Sequence, residues 1–179
     1  MASIKQPITD IMTKLSTLNI TNADLQTVPL RVRIWNNQLR HESHGEMYDF
    51  IKPAAFLEVI GNVQWEQLGI GFRSADIGFH IHLITEMFDA QDGTMEQNLL
   101  VFDLRDQVVA LLSNYVPTAC SPMWSTGELQ DYDHTNLYHY IISFVCNFTD
   151  SKGSQYEPGA GYYIDSTPPT TLQMNITKS

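Results

Sequence analysis

Apolar and polar positions alternate most cleanly between residues 77 and 83. Ile77, Phe79, Ile81 and Leu83 fall on one side of an extended chain, and Gly78, His80 and His82 on the other. A repeat of two marks a strand with one buried face. Turn-forming residues follow at Asp89–Gly93. Thr94, with Gln97 three residues later, then suits a capping box at a helix start. Leu100, Leu104, Val108, Leu111 and Leu112 recur at helical spacing, and Asn114 is a suitable stop. One apolar strand face and one apolar helix face can bury each other, and this pair is the predicted core.

The remaining pattern adds elements around that pair. Ile4, Ile8, Ile11, Met12, Leu15 and Leu18 lie at steps of three and four, predicting an amphipathic helix that tolerates Pro7 in its first turn and ends at Asn19 to Asn22. Val28, Leu30, Val32 and Ile34 alternate with Pro29, Arg31, Arg33 and Trp35, which predicts a strand with an apolar inner and a basic outer face. Asn36–Lys52 is polar and reads as a long loop. Pro53 then opens a dense apolar run, 54–60, suited to a central strand. The segment from Gly61 to Ser74 carries Trp65, Leu68 and Phe72 among its glycines and is too apolar for a solvated loop. It reads as a projecting hairpin or lip that packs on a neighbouring subunit. Met123–Leu129 and Leu137–Phe148 read as two further strands, joined by the polar turn Asp131–Asn136.

Together these elements predict one α+β domain over residues 1–150. A mixed, mostly antiparallel sheet of about five strands packs on two helices. Residues 151–179 change character, rich in Gly, Ser, Thr and Pro but carrying Tyr156, Tyr162 and Tyr163. They read as an extended C-terminal arm that docks on a partner subunit.

Composition narrows the function classes. The chain has 179 residues, 43% of them hydrophobic, enough for a real core. Its formal net charge of -10 argues against gripping nucleic acid through phosphates, which needs Lys and Arg. An acidic wall past which DNA slides without sticking remains compatible with that charge. The two cysteines, Cys120 and Cys146, are not expected to form a disulfide, and Cys146 falls in a predicted strand as a small hydrophobe. The first residues hold no apolar signal region, and no apolar run spans a bilayer. The expectation is a soluble protein made in a cytoplasm. The Asn-x-Thr triplets at Asn19, Asn147 and Asn175 are then chance matches.

Candidate chemistry is sparse. His80 and His82 stand two apart on one strand face, a spacing at which two imidazoles can chelate a metal. A third ligand would come from His139, Asp131, Asp133 or His134, and nothing in the spacing selects one. The plainer reading is a polar outer face, so neither metal nor cofactor is expected. His41 and His44, with Glu42 and Glu46, belong to a solvated loop. Asp131, Asp133 and His134 suit a turn better than an acid–base site. Gly69-Ile-Gly71 opens no helix and is not a phosphate loop, and Ser121 and Ser125 lack a nucleophile-elbow context. No catalytic residue is assigned, and an enzyme is not expected.

Several local features resemble the tail terminator and tail-completion (neck) proteins of tailed bacteriophages and related contractile particles. Pro53-Ala-Ala-Phe-Leu-Glu58 is similar to that family's early strand, Ser74–His82 to its central strand, Leu99–Leu112 to its core helix, and Asp131–His134 with Leu137–Phe148 to its closing strands. The resemblance implies a structural virion protein with no catalytic site. It forms a homo-oligomeric, six-fold ring at the head-proximal end of the tail tube, stops tube polymerisation and joins tail to neck. Expected partners are the tail tube or sheath protein and a neck or connector protein, with DNA passing through the lumen without specific binding. The near alternative is an adjacent neck or head–tail connector protein. A small metal-binding domain using His80 and His82 is the alternative of another class. A ring closes by joining one patch to a different patch on the next copy. The candidate interface residues are Trp65, Leu68, Phe72, Arg73, Tyr156, Tyr162 and Tyr163. Arg31, Arg33, Arg40 and Arg73 are candidates to pair with acids of a neighbouring ring.

Overall fold

The alternation at 77–83 extends in both directions into a strand of 15 residues, the spine of the sheet. The computed structural model describes residues 3–21, 26–39, 52–61, 63–69, 71–86, 95–131 and 137–151, with the backbone alone for 21, 86 and 95–100. Its elements are α1 (Lys5–Leu15), β1 (Asn19–Thr21), β2 (Thr27–Pro29), β3 (Arg31–Ile34), β4 (Ala54–Val59), β5 (Glu66–Gly69), β6 (Phe72–Glu86), α2 (Met95–Leu112), β7 (Trp124–Asp131) and β8 (Leu137–Asp150). The main sheet has six strands, in the order β3-β4-β6-β8-β7, with β5 paired to β6. β3 and β4 run parallel, and every other pair is antiparallel. β1 and β2 form a separate ribbon. This is the single α+β domain that the patterning predicts.

Both helices lie on one face of the sheet. Ala75, Ile77, Phe79, Ile81 and Leu83 of β6 are at most 4% exposed, and the last four meet Ile142, Phe144, Cys146 and Phe148 of β8 in one core. Ile11 and Leu15 of α1 cover that face, with Leu104, Val108 and Leu112 of α2. Val101 completes the buried stripe of α2. Asn114 ends the turn after α2 in the left-handed region, at φ 63°. The Thr94 cap lies outside the described residues. Cys146 is buried as predicted, and both cysteines are free thiols.

The opposite face carries a second, smaller cluster of Leu39, Ala54, Phe56, Ile84 and Leu137, with Trp35 against it. The chain leaving β3 folds back over this face. The Trp35 backbone N–H donates to the Leu57 carbonyl, and the Gln38 side chain bridges the Ile34 carbonyl and the Asn36 N–H.

Three differences from the sequence expectation each have a local reason. α1 stops at Leu15 rather than at Asn19, because the Ser16 and Thr17 hydroxyls donate back to the Met12 and Lys14 carbonyls and close the last turn. Asn19 instead opens β1. The strand expected over 28–34 is two strands, since the Leu30 N–H leaves the ladder to bond the Leu18 carbonyl. β2 therefore pairs with β1, and β3 with β4. The expected lip is a hairpin of β5 and the start of β6, turning through Gly71 at φ 76°. Phe72, Arg73 and Ser74 thus belong to the long strand. Residues 40–51, most of the expected loop, and 152–179, nearly all of the expected arm, lie outside the described residues. Among the described residues no helix is long and apolar enough to cross a membrane.

Candidate functional site

The register of β4 against β6 builds a polar cluster on the second face. Glu58 stands directly opposite His80, and Phe56 opposite His82. Cross-strand partners share a face, so Glu58 is also diagonal to His82. One carboxylate oxygen, Glu58 Oε2, lies 3.1 Å from His80 Nδ1 and 3.1 Å from His82 Nε2. On its other side, His82 Nδ1 lies 2.9 Å from His139 Nε2 of β8. His139 Nδ1 in turn lies 3.0 Å from Asp131 Oδ2, where β7 pairs with β8. The Trp35 indole stacks on the His82 ring, with centroids 4.0 Å apart and planes 5° from parallel. His82 is 4% exposed and His139 3%. The Glu58 and His80 side chains are about one-third exposed, so the cluster is deep at one end and open at the other.

The run Glu58–His82–His139–Asp131 contains three short contacts, and each needs a proton or a cation between its two acceptors. Two neutral imidazoles bring only two protons. If His139 donates to Asp131 and His82 donates to His139, a bare His82 Nε2 faces the Glu58 carboxylate. Burial drives the His82 pKa down to about 4, an effect that the Glu58 carboxylate only partly offsets. The neighbouring rings of His139 and His80 push the same way. Partial burial works to raise the Glu58 pKa. The adjoining His82 and His80 rings outweigh it, holding the carboxyl below its ordinary value.

Sequence reasoning found His80 and His82 but not their third partner. Glu58 fills that place, while His139 and Asp131 stand one step behind; Asp133 and His134 lie outside the described residues. Glu58 is remote in sequence and sits inside an apolar run, so only the strand register reveals it. Asp131, expected in the turn, instead ends β7 opposite His139, and that register sets the pair.

The candidate interface residues separate into three groups. Trp65 turns inward: its ring meets Phe148 edge-on at 6.2 Å and the Arg73 guanidinium lies over it at 4.1 Å. Arg73 also donates to Asp150 Oδ2 of its own chain, through Nε at 3.0 Å and a terminal nitrogen at 2.8 Å. Leu68 and Phe72 face outward, 58% and 41% exposed. Tyr156, Tyr162, Tyr163 and Arg40 lie outside the described residues, and Arg31 and Arg33 are exposed on β3. Patterning did not single out Trp124 and Leu129 of edge strand β7, which are 48% and 62% exposed. They share the second face with Val145 and Ile141, their cross-strand partners.

No protein-family model matches the chain, and no curated protein matches it by sequence.

Proposed function

We propose that this chain is a structural virion protein, not an enzyme, that closes into a ring at the head-proximal end of a phage tail tube. There it ends tube polymerisation and joins tail to neck. One observation carries the reading: exposed apolar side chains stand at opposite edges of the sheet. Leu68 and Phe72 lie on the β5 side of β6, while Trp124 and Leu129 lie on β7, beyond β8. Two unlike patches facing away from each other suit a head-to-tail contact, in which one copy's β7 edge meets the next copy's β5 hairpin. Both edge strands are exposed along most of their length and leave backbone groups for such a contact. The sequence resemblance to tail terminators supports the same reading. The net charge of -10 suits a lumen through which DNA passes unbound.

The test is mass by light scattering and native mass spectrometry, on the full chain alone and with a tail tube protein. A closed ring of identical copies, six by the family resemblance, is expected in at least one of the two conditions. A monomer at every concentration and in both conditions would refute the reading.

A further inference from the structure

The geometry points to Glu58, His80 and His82 as a binding site for one divalent first-row transition-metal ion, with zinc the best match to the donors. This inference does not depend on ring formation, and it departs from the expectation that the chain holds no metal.

Three features carry it. First, the donors converge. The three ligand atoms lie within 4.8 Å of one another, and Glu58 Oε2 is 3.1 Å from each nitrogen. Zinc bound to nitrogen and oxygen at about 2.0–2.2 Å in tetrahedral geometry spaces its donors roughly 3.3–3.5 Å apart. The two contacts to Glu58 are already near that spacing. The nitrogen–nitrogen span is left to His80, the more exposed of the two rings and the freer to turn.

Second, the donor that faces the site is fixed from behind. With Asp131 accepting from His139 and His139 accepting from His82 Nδ1–H, the lone pair of His82 Nε2 points at Glu58. A ligating histidine held in its tautomer by a further acceptor and a carboxylate is the common outer arrangement of metal-bound imidazoles. Trp35 stacks flat on the same ring and prevents it from turning. Third, two acceptors face each other at 3.1 Å, and a shared cation relieves that opposition. Two imidazoles and a carboxylate select zinc-like ions over magnesium or calcium, which prefer all-oxygen sites. Three protein donors leave at least one coordination position for water or a donor from another molecule.

The test uses the full-length, tag-free chain stripped with a chelator and titrated with Zn²⁺ by calorimetry. One ion per chain is expected, with Mg²⁺ unable to compete. His80→Ala and Glu58→Gln should each weaken binding about tenfold or more, while His41→Ala with His44→Ala should leave it unchanged. Cobalt, substituted for zinc, should give the visible absorption of a tetrahedral nitrogen–oxygen site in the wild type and lose it in His80→Ala. His80 is about one-third exposed, so that variant keeps the test available if Glu58→Gln fails to fold. The inference is overturned if the wild type shows no stoichiometric binding. It is equally overturned if binding survives both ligand substitutions, or disappears with His41 and His44.

Discussion

Replacing Trp65 by alanine separates the parts of the β5–β6 hairpin that serve the fold from those that face outward. A tryptophan buries about 150–250 Å² when fully covered. Trp65 is half-buried, so roughly 100 Å² of apolar surface is at stake, or about 2.5 kcal/mol at 25 cal/mol per Å². The edge-on contact with Phe148 and the guanidinium of Arg73 add about 0.5–1 kcal/mol each. An extended reference chain overstates the burial by 10–40%. Trp65→Ala should therefore lower the unfolding free energy by roughly 2.5–4 kcal/mol. Leu68→Ala, at a site 58% exposed, should stay within about 0.5 kcal/mol of wild type. Urea unfolding followed by far-UV circular dichroism measures both, and the midpoint should fall in Trp65→Ala with the slope unchanged. If Trp65→Ala lost less than about 0.5 kcal/mol, its ring would not belong to the core. It would then join Leu68 and Phe72 as outward-facing surface.

Other perturbations have equally definite outcomes. His82 stays neutral in the fold, with a pKa near 4 against about 6.5 unfolded, so the unfolded chain binds more protons between those values. In chelator, stability should be full above pH 6.5 and fall by about 3 kcal/mol as the pH drops toward 4; a flat urea midpoint across that window would contradict the burial of this ring. Arg73→Ala should destabilise by roughly 1–2 kcal/mol, since it leaves the nearly buried Asp150 carboxylate without its guanidinium, and a change below 0.3 kcal/mol would contradict that. Gly78→Ala should cost about 1 kcal/mol or more, because a Cβ there would stand 2.7 Å from Ile60 Cδ1; unfolding midpoints equal to wild type would show that Ile60 simply moves aside.

Much of the fold is readable from local pattern, because burial on one face imposes a period on the sequence. The alternation of Ile77, Phe79, Ile81 and Leu83, and the helical spacing of Leu104, Val108 and Leu112, translate directly into the core. Long-range register is a different matter. Glu58 meets His80 and His82 only because β4 pairs with β6 in one register, and nothing within the 54–60 run signals that partner. Arg73 looked free for a neighbour, yet Asp150 lies across the β6–β8 ladder from it, 77 residues away. Trp65 looked like surface because it sits among glycines, while the strand pairing that follows turns its ring onto Phe148. Trp124 and Leu129 escaped notice for the opposite reason: an apolar residue in a strand reads as core until the strand proves to be an edge. The division at Leu30 was likewise hidden, since it depends on a hydrogen bond to Leu18 on another segment.

A mixing experiment with two half-blocked variants tests the two-patch ring most directly. Leu68→Asp with Phe72→Asp removes one patch and leaves the β7 edge intact, whereas Trp124→Asp with Leu129→Asp does the reverse. Each variant alone should be a folded monomer under conditions in which the wild type forms a ring. Mixed in equal amounts, they retain one intact patch of each kind and should yield a heterodimer that grows no further, seen as a doubled mass by light scattering. Variants that still form rings alone, or a mixture that stays monomeric, would contradict the head-to-tail arrangement.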